Sequence, residues 1–287
     1  MKNSIGIMQG RLTKPLGRGI QFFPFDNWEN EFRIAQQLRL DEIEFIFDYE
    51  NYESNPLWKD EEQKLENIIR ETGVKVNSVC FDYFMRRPFY KYEGDIKEAV
   101  KEENQRILLH VLESMKRLGI RLLEIPLVDN SSLKSKKEEE EFKIFLLDII
   151  DTIGGNHHFG LETDLPPRKF RSYIESFKNE SVFANYDSGN SSGLGYDPYE
   201  EITVLSDLIY NIHIKDRIYQ GTTVKLGTGS AQFPRLFRAL EEINYSGSFI
   251  LQAARAEEGL EKDNISEQII FVEENINTYM KRTQGGI

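Results

Sequence analysis

Several things are scarce in this chain, and each scarcity removes a class of protein. There is one cysteine, Cys80, among 287 residues. It cannot form an internal disulfide, which fits a reducing, cytoplasmic setting and leaves Cys80 as a buried strand residue. No apolar run approaches the roughly 20 residues of a membrane-spanning helix. The opening stretch MKNSIGIMQG has neither a long apolar core nor an A-x-A-like site, so a signal peptide is not expected. No Pro- or Ser-rich linker interrupts the chain, and one domain over 1–287 is expected. Positive charge is in deficit, with a formal net charge of -12. Binding to nucleic acid rests on many Lys and Arg contacts with phosphates, so nucleic acid is a poor partner. A local basic pocket still leaves room for small anionic substrates.

What is present is an alternation. Eight short apolar runs read as strands: SIGIMQ, EIEFIF, VKVNSVCF, RLLEIPLV, HFGLET, VFANYD, IYNIHI and SFILQA. Most follow a glycine or a polar turn. The segments between them have helical signals. Asp26 with Glu29 makes an approximate capping box, and Asp197–Pro198–Glu200 opens another helix. The run NQRILLHVLESMKRLG puts its apolar residues on one face and closes at Gly119. The charge run KSKKEEEEFK, 134–143, reads as an exposed helix start. Strand–helix alternation implies parallel pairing with helical crossovers. Eight such units favour an α/β (β/α)8 TIM barrel over an open doubly wound sheet, whose first turn would carry a glycine-rich dinucleotide pattern; MQGRLTKP carries none.

In a parallel barrel the chemistry sits at the C-terminal ends of the strands. There the fifth to eighth runs turn polar at Glu162, Asp187, His213 and Gln252. The first three are good divalent-metal ligands, and Gln252 can ligate only through its amide oxygen. Imidazole with carboxylates suits Mn, Zn, Co or Fe, whereas Mg usually prefers oxygen alone. Each residue alone is an ordinary turn, cap or core residue; four on successive strands point to one funnel. Lys215, Arg217 and Arg255 fall near the ends of the seventh and eighth strands, and Arg11 follows the first. Together they are candidates for holding a phosphate or carboxylate. Asn190 and Glu44 are candidate hydroxyl contacts. KLGTGSAQF, with Lys225, Gly227 and Gly229 before a helix, is either an anion site or a simple turn. His157 and His158 precede the fifth strand and belong to the opposite face.

IGIMQGRL, LETD, YDSGN, HIKDR, LGTGSAQF and YSGSFILQ resemble the xylose-isomerase-like barrels, specifically the sugar phosphate isomerase/epimerase group, over nearly the whole chain. The resemblance implies a divalent metal (Mn, Zn, Co or Mg) held by Glu, Asp, His and Glu, at Glu162, Asp187, His213 and position 252. It implies proton transfer through an enediolate, with Glu162 as the main base and a small carbohydrate as partner. The departure is Gln252, since an amide does not exchange a catalytic proton near neutral pH. A dehydratase or lyase on a polyol or keto acid, or a non-catalytic sugar-binding protein, therefore stands beside the isomerase or epimerase reading. An abasic-site nuclease of the same fold needs a histidine-rich multi-zinc site, and four histidines with a net charge of -12 argue against it. Metal identity, substrate and self-association into a homo-oligomer stay open.

Overall fold

The computed structural model describes residues 3–14, 21–59, 61–155, 157–255 and 257–280. Eight strands run through them: β1 (Ile5–Met8), β2 (Glu42–Ile46), β3 (Ser78–Cys80), β4 (Leu122–Leu127), β5 (His158–Thr163), β6 (Val182–Asp187), β7 (Ile209–Ile214) and β8 (Phe249–Leu251). All neighbours pair in parallel. The sheet closes on itself in the order β1-β8-β7-β6-β5-β4-β3-β2. This is the (β/α)8 barrel expected from the alternation, and each of the eight apolar runs supplies one strand. A short antiparallel hairpin, Asp216–Arg217 with Thr223–Val224, follows β7. Among the described residues no helix is long and apolar enough to cross a membrane.

Local signals explain most helix ends. The helix Gly94–Leu118 stops at Gly119, whose φ of 72° lies in the left-handed region that glycine enters without strain. The helix Pro198–Leu205 starts with Asp197 accepting from the Tyr199 and Glu200 amides. The acidic run begins the helix Lys136–Ile153, with a reciprocal capping box between Ser135 and Glu138. The box expected at Asp26 and Glu29 does not form. The helix begins at Trp28, with Asn27 at the cap position and no side-chain cap hydrogen bond. Glu31 of that helix instead accepts from Gly10 N and Leu12 N, tying the loop after β1 to the helix.

The barrel interior is unusual in being polar. Such interiors are commonly filled by layers of branched apolar side chains. Here β2 reads Glu-Ile-Glu-Phe-Ile, and with period two it turns Glu42 and Glu44 to one face and Ile43 and Phe45 to the other. Phe45 packs against Phe23 and Trp28 on the outside. Glu44 contacts His213 of β7, three strands away around the ring, so their contact crosses the interior. Ser78, Glu124, Asn185 and Asn211 are likewise buried. Close filling makes one glycine obligatory: a Cβ at Gly6 would lie 2.5 Å from Glu42 Cγ and 2.7 Å from Ile250 Cδ1.

Candidate active site

Two large hollows open on the barrel axis. One, of about 760 Å³, lies at the N-terminal ends and includes Glu42, Asn77, Arg121 and Tyr245. The other, of about 640 Å³, lies at the C-terminal mouth and includes Glu162, Asn190, Lys215, Arg217 and Gln252. The smaller one holds the convergent polar groups and sits where barrel chemistry is built. His157 and His158 line neither hollow.

Glu162, Asp187 and His213 each turn one donor atom to a common point, and these atoms lie within 4.8 Å of one another. All three residues are buried. Their other atoms are already engaged, which fixes the ones left over. Asp187 Oδ1 accepts from Gly189 N at 2.8 Å and Asn190 N at 2.7 Å, which leaves Oδ2 toward the centre, where it accepts from Lys215 Nζ at 3.3 Å. His213 Nε2 lies 2.6 Å from Glu44 Oε1, leaving Nδ1 turned to Glu162 Oε2 at 3.3 Å and Asp187 Oδ2 at 4.0 Å. Glu162 Oε1 accepts from Asn190 Nδ2. Two carboxylates and one imidazole turned to one point, where Asn185 Nδ2 and Lys215 Nζ now contact them, fit a divalent cation of the Mn, Zn or Co type. Burial by itself lowers the pKa of His213; Glu44 and Glu162 outweigh it, and the imidazole is held well above its ordinary value.

Gln252 stands just past β8, in the wall of the same cavity. Its Oε1 accepts from Lys215 Nζ at 3.2 Å, and its Nε2 donates to Gln21 Oε1 at 2.9 Å. The same ammonium reaches Asp187 Oδ2 at 3.3 Å and Asn190 Oδ1 at 3.2 Å. Lys215 thus ties the eighth-strand amide to the Asp187 side of the centre. Its stem lies along Gly189, where a Cβ would meet Lys215 Cγ at 2.4 Å. Only glycine lets the lysine pass so close to the short helix after β6.

The basic cluster expected from the sequence divides in two. Lys215 and Arg217 line the cavity, and Arg217 Nη1 donates to Asn190 Oδ1 at 3.1 Å. Arg11 and Arg255 do not line it. Arg11 is buried and donates to Ala253 O at 3.1 Å. Arg255 donates to Gly10 O and Thr13 O and lies over the Phe22 ring. Both arginines join the loop after β1 to the exit of β8, because main-chain carbonyls there need donors that no strand supplies. Glu44 is also withdrawn from the cavity. It is fully buried and accepts from His213, Ser78 and Asn211. It orients the imidazole and has no exposed oxygen for a hydroxyl. The stretch after the hairpin is a turn: Gly227 N and Gly229 N both donate to Asp216 Oδ2 at 2.9 Å, so those amides are taken.

Among the cavity residues that went unread in the sequence are Gln21, Asp82 and Glu124. Asp82 stands at the polar exit of the third apolar run. Its pKa is pushed up to about 6, mainly by burial, with Glu162 adding to the rise and Gln21, Arg11 and Lys215 opposing it. Glu124 lies inside an apolar run, and the period of two is the signal that turns it inward. Burial, reinforced by Glu162, holds its carboxyl well above the usual carboxylate range.

The chain is similar to known proteins over most of its length. The SgbU protein of Haemophilus influenzae is 26% identical over 269 residues, covering 88% of each chain. The L-ribulose-5-phosphate 3-epimerase UlaE of Shigella flexneri is 24% identical over 238 residues, covering 78% of this chain and 81% of that protein. Among solved structures, an L-ribulose 3-epimerase superposes with a TM-score of 0.74 at 16% identity, covering 99% of this chain and all of that one. The IOLI protein, solved with a bound zinc atom, gives 0.70 at 15% identity, covering 97% of this chain and all of that one. The model of the xylose isomerase-like TIM barrel family matches residues 32–274, most of the sequence, and the chain belongs to that family.

Proposed function

We propose that this protein is a divalent-metal-dependent epimerase of a ketose phosphate, with L-ribulose 5-phosphate as the lead substrate. The observation that carries the reading is the convergence of one possible ligand atom each from Glu162, Asp187 and His213 in a polar cavity whose wall includes Lys215 and Arg217. The epimerase named among the relatives supports the choice of substrate. Glu162, Asp187 and His213 would hold the cation. When bound, it supplies Lewis acidity to the carbonyl and hydroxyl oxygens next to the reacting carbon.

The chain's own groups do the rest. Glu162 has an oxygen at the centre and takes the proton from the carbon beside the carbonyl, giving an enediolate. Asn190 steadies that carboxylate through its Nδ2. His213 is kept in one orientation by Glu44. Lys215 and Arg217 favour a substrate carrying negative charge at the mouth.

The test is incubation with L-ribulose 5-phosphate in D2O, with and without Mn²⁺, followed by NMR and mass spectrometry. The expected product is the C3 epimer with deuterium at C3, and Glu162→Gln abolishes it. Full activity in metal-free protein would sink the metal mechanism. Loss of water or carbon–carbon cleavage would identify a dehydratase or lyase, and binding without turnover a sugar-binding protein.

A further inference from the structure

Inverting a carbon centre requires that a proton leave one face and another arrive on the opposite face. A single fixed carboxylate cannot serve both faces of a substrate that does not turn over. Gln252 cannot serve as the second group, since its amide has no exchangeable acid form near neutral pH. A second group must therefore come from elsewhere in the same cavity.

We infer that Asp82 is that second proton-transfer group, facing Glu162 across the bound sugar; this rests on the epimerase reading above. Asp82 follows β3 and Glu162 belongs to β5, with β4 between them. Two strand spacings separate their backbones by about 10 Å, which leaves room for a sugar between the side chains. Both line the one cavity. The other carboxyl groups there are less suitable. Glu50 and Asp129 are exposed at the rim. Asp48 accepts from Phe23 N. Glu124 lies on the strand next to Glu162, and burial, reinforced by Glu162, holds its carboxyl well above the usual carboxylate range.

The amides around Asp82 give the arrangement a direction. An ammonium can only donate, so Lys215 fixes Gln252 with its oxygen toward Nζ and its NH2 toward Gln21. Gln21 must then accept with its oxygen, and its NH2 faces Cys80 Sγ at 3.8 Å and the Asp82 carboxylate. Cys80 Sγ also lies 3.9 Å from Asp82 Oδ1. The amide at position 252 thus delivers an N–H donor to Asp82. A glutamate there could not donate to Gln21, and the sequence of donors would break. A carboxyl with a pKa near 6, flanked by Glu162, Arg11 and Lys215, is suited to give and take protons near neutral pH.

The step balances without any oxidant. From one epimer, Glu162 takes the C3 proton and the C–H electron pair enters the enediolate. Protonated Asp82 then gives its proton to the other face, and the pair returns to form the new C–H bond. From the other epimer the roles exchange, and solvent resets both carboxyls.

The experiment follows C3 hydrogen exchange separately from net epimerisation, using L-ribulose 5-phosphate and its C3 epimer, each unlabelled in D2O, with Mn²⁺-loaded protein. Asp82→Asn is close to isosteric and leaves the three ligands in place. It is expected to keep exchange from the epimer that Glu162 deprotonates. Exchange from the other epimer, and net epimerisation, should fall by about 100-fold or more. Asp82→Glu should recover part of that loss. Wild-type rates in Asp82→Asn, or an equal loss from both epimers as a purely structural role would give, overturn the assignment while leaving the epimerase reading standing. A wild-type protein inert toward both epimers overturns the epimerase reading and the Asp82 role with it.

Discussion

Glu44→Gln isolates the part of the site that lies beneath the cavity. Glu44 is completely buried and accepts from His213 Nε2 at 2.6 Å, Ser78 Oγ at 2.7 Å and Asn211 Nδ2 at 2.9 Å. A carboxylate only accepts, so it holds the Nε2 proton of His213 and leaves Nδ1 for a cation. Glutamine has the same shape but one acceptor oxygen, and its NH2 must face a donor in at least one of these contacts. An outer partner of this kind is worth about 10- to 100-fold in metal affinity, or roughly 1.4–2.8 kcal/mol. The mismatched donor pair adds a folding cost of about 1–3 kcal/mol, at roughly 2–4 °C in Tm per kcal/mol for a chain approaching this size. Calorimetric titration of Mn²⁺ into metal-free protein measures the first quantity, and a thermal melt of the metal-free form measures the second. A variant that binds Mn²⁺ within about twofold of wild type, against the tenfold minimum expected, would refute the orienting role, whatever its melting temperature.

Other outcomes follow from the same geometry. Because His213 is held well above its ordinary pKa without a cation, metal binding should release a proton; the titration enthalpy should depend on the buffer's ionisation enthalpy, and affinity should rise with pH. In the direction where Asp82 acts as base, kcat/KM should rise as pH passes upward through about 6, and in the direction where it acts as acid the rate should fall over the same window. Asp82→Asn should lose that limb in a pH–rate profile. Gln252→Glu sets a carboxylate beside Lys215 and near Asp187, so metal affinity should increase on titration while epimerisation falls, because Gln21 turns its NH2 away from Asp82. Arg255→Ala removes hydrogen bonds to Gly10 O and Thr13 O and the packing over Phe22; stability should drop by about 1–3 kcal/mol, with little change in KM for a phosphorylated substrate.

The sequence made the barrel legible because strand–helix alternation is written locally, in runs of six to eight residues with glycines or caps beside them. It also made Glu162, Asp187 and His213 legible, since each is the last or last-but-one residue of its strand, at the end of the barrel where the mouth opens. It could not separate Lys215 from Arg255. Both are basic residues just past a strand, but one passes over Gly189 into the cavity and the other turns to the carbonyls of Gly10 and Thr13. That choice depends on which unpaired main-chain groups lie within reach, and those groups are more than two hundred positions away in the chain. Glu44 failed for a different reason: it is not the end of its strand but the middle residue of β2, where it is fully buried beneath the mouth.

The polar interior links these failures to the function. Glu44, Glu124, Glu162 and Asp187 crowd around one histidine and one lysine, a density of negative charge that a purely structural core would not carry. Two shifts soften it within the chain itself: burial raises the Glu124 carboxyl, and Glu44 and Glu162 raise the His213 imidazole well above its ordinary value. Both adjustments run in the direction that a divalent cation at the triad would reverse. Against that background an amide at position 252 subtracts one more negative charge from the mouth and, through Lys215 and Gln21, turns a donor toward Asp82. A second glutamate at 252 would combine cation binding and proton transfer in one side chain. In the mechanism proposed above the two tasks fall to different strands, with the cation held from β5, β6 and β7 and the second proton transferred beside β3.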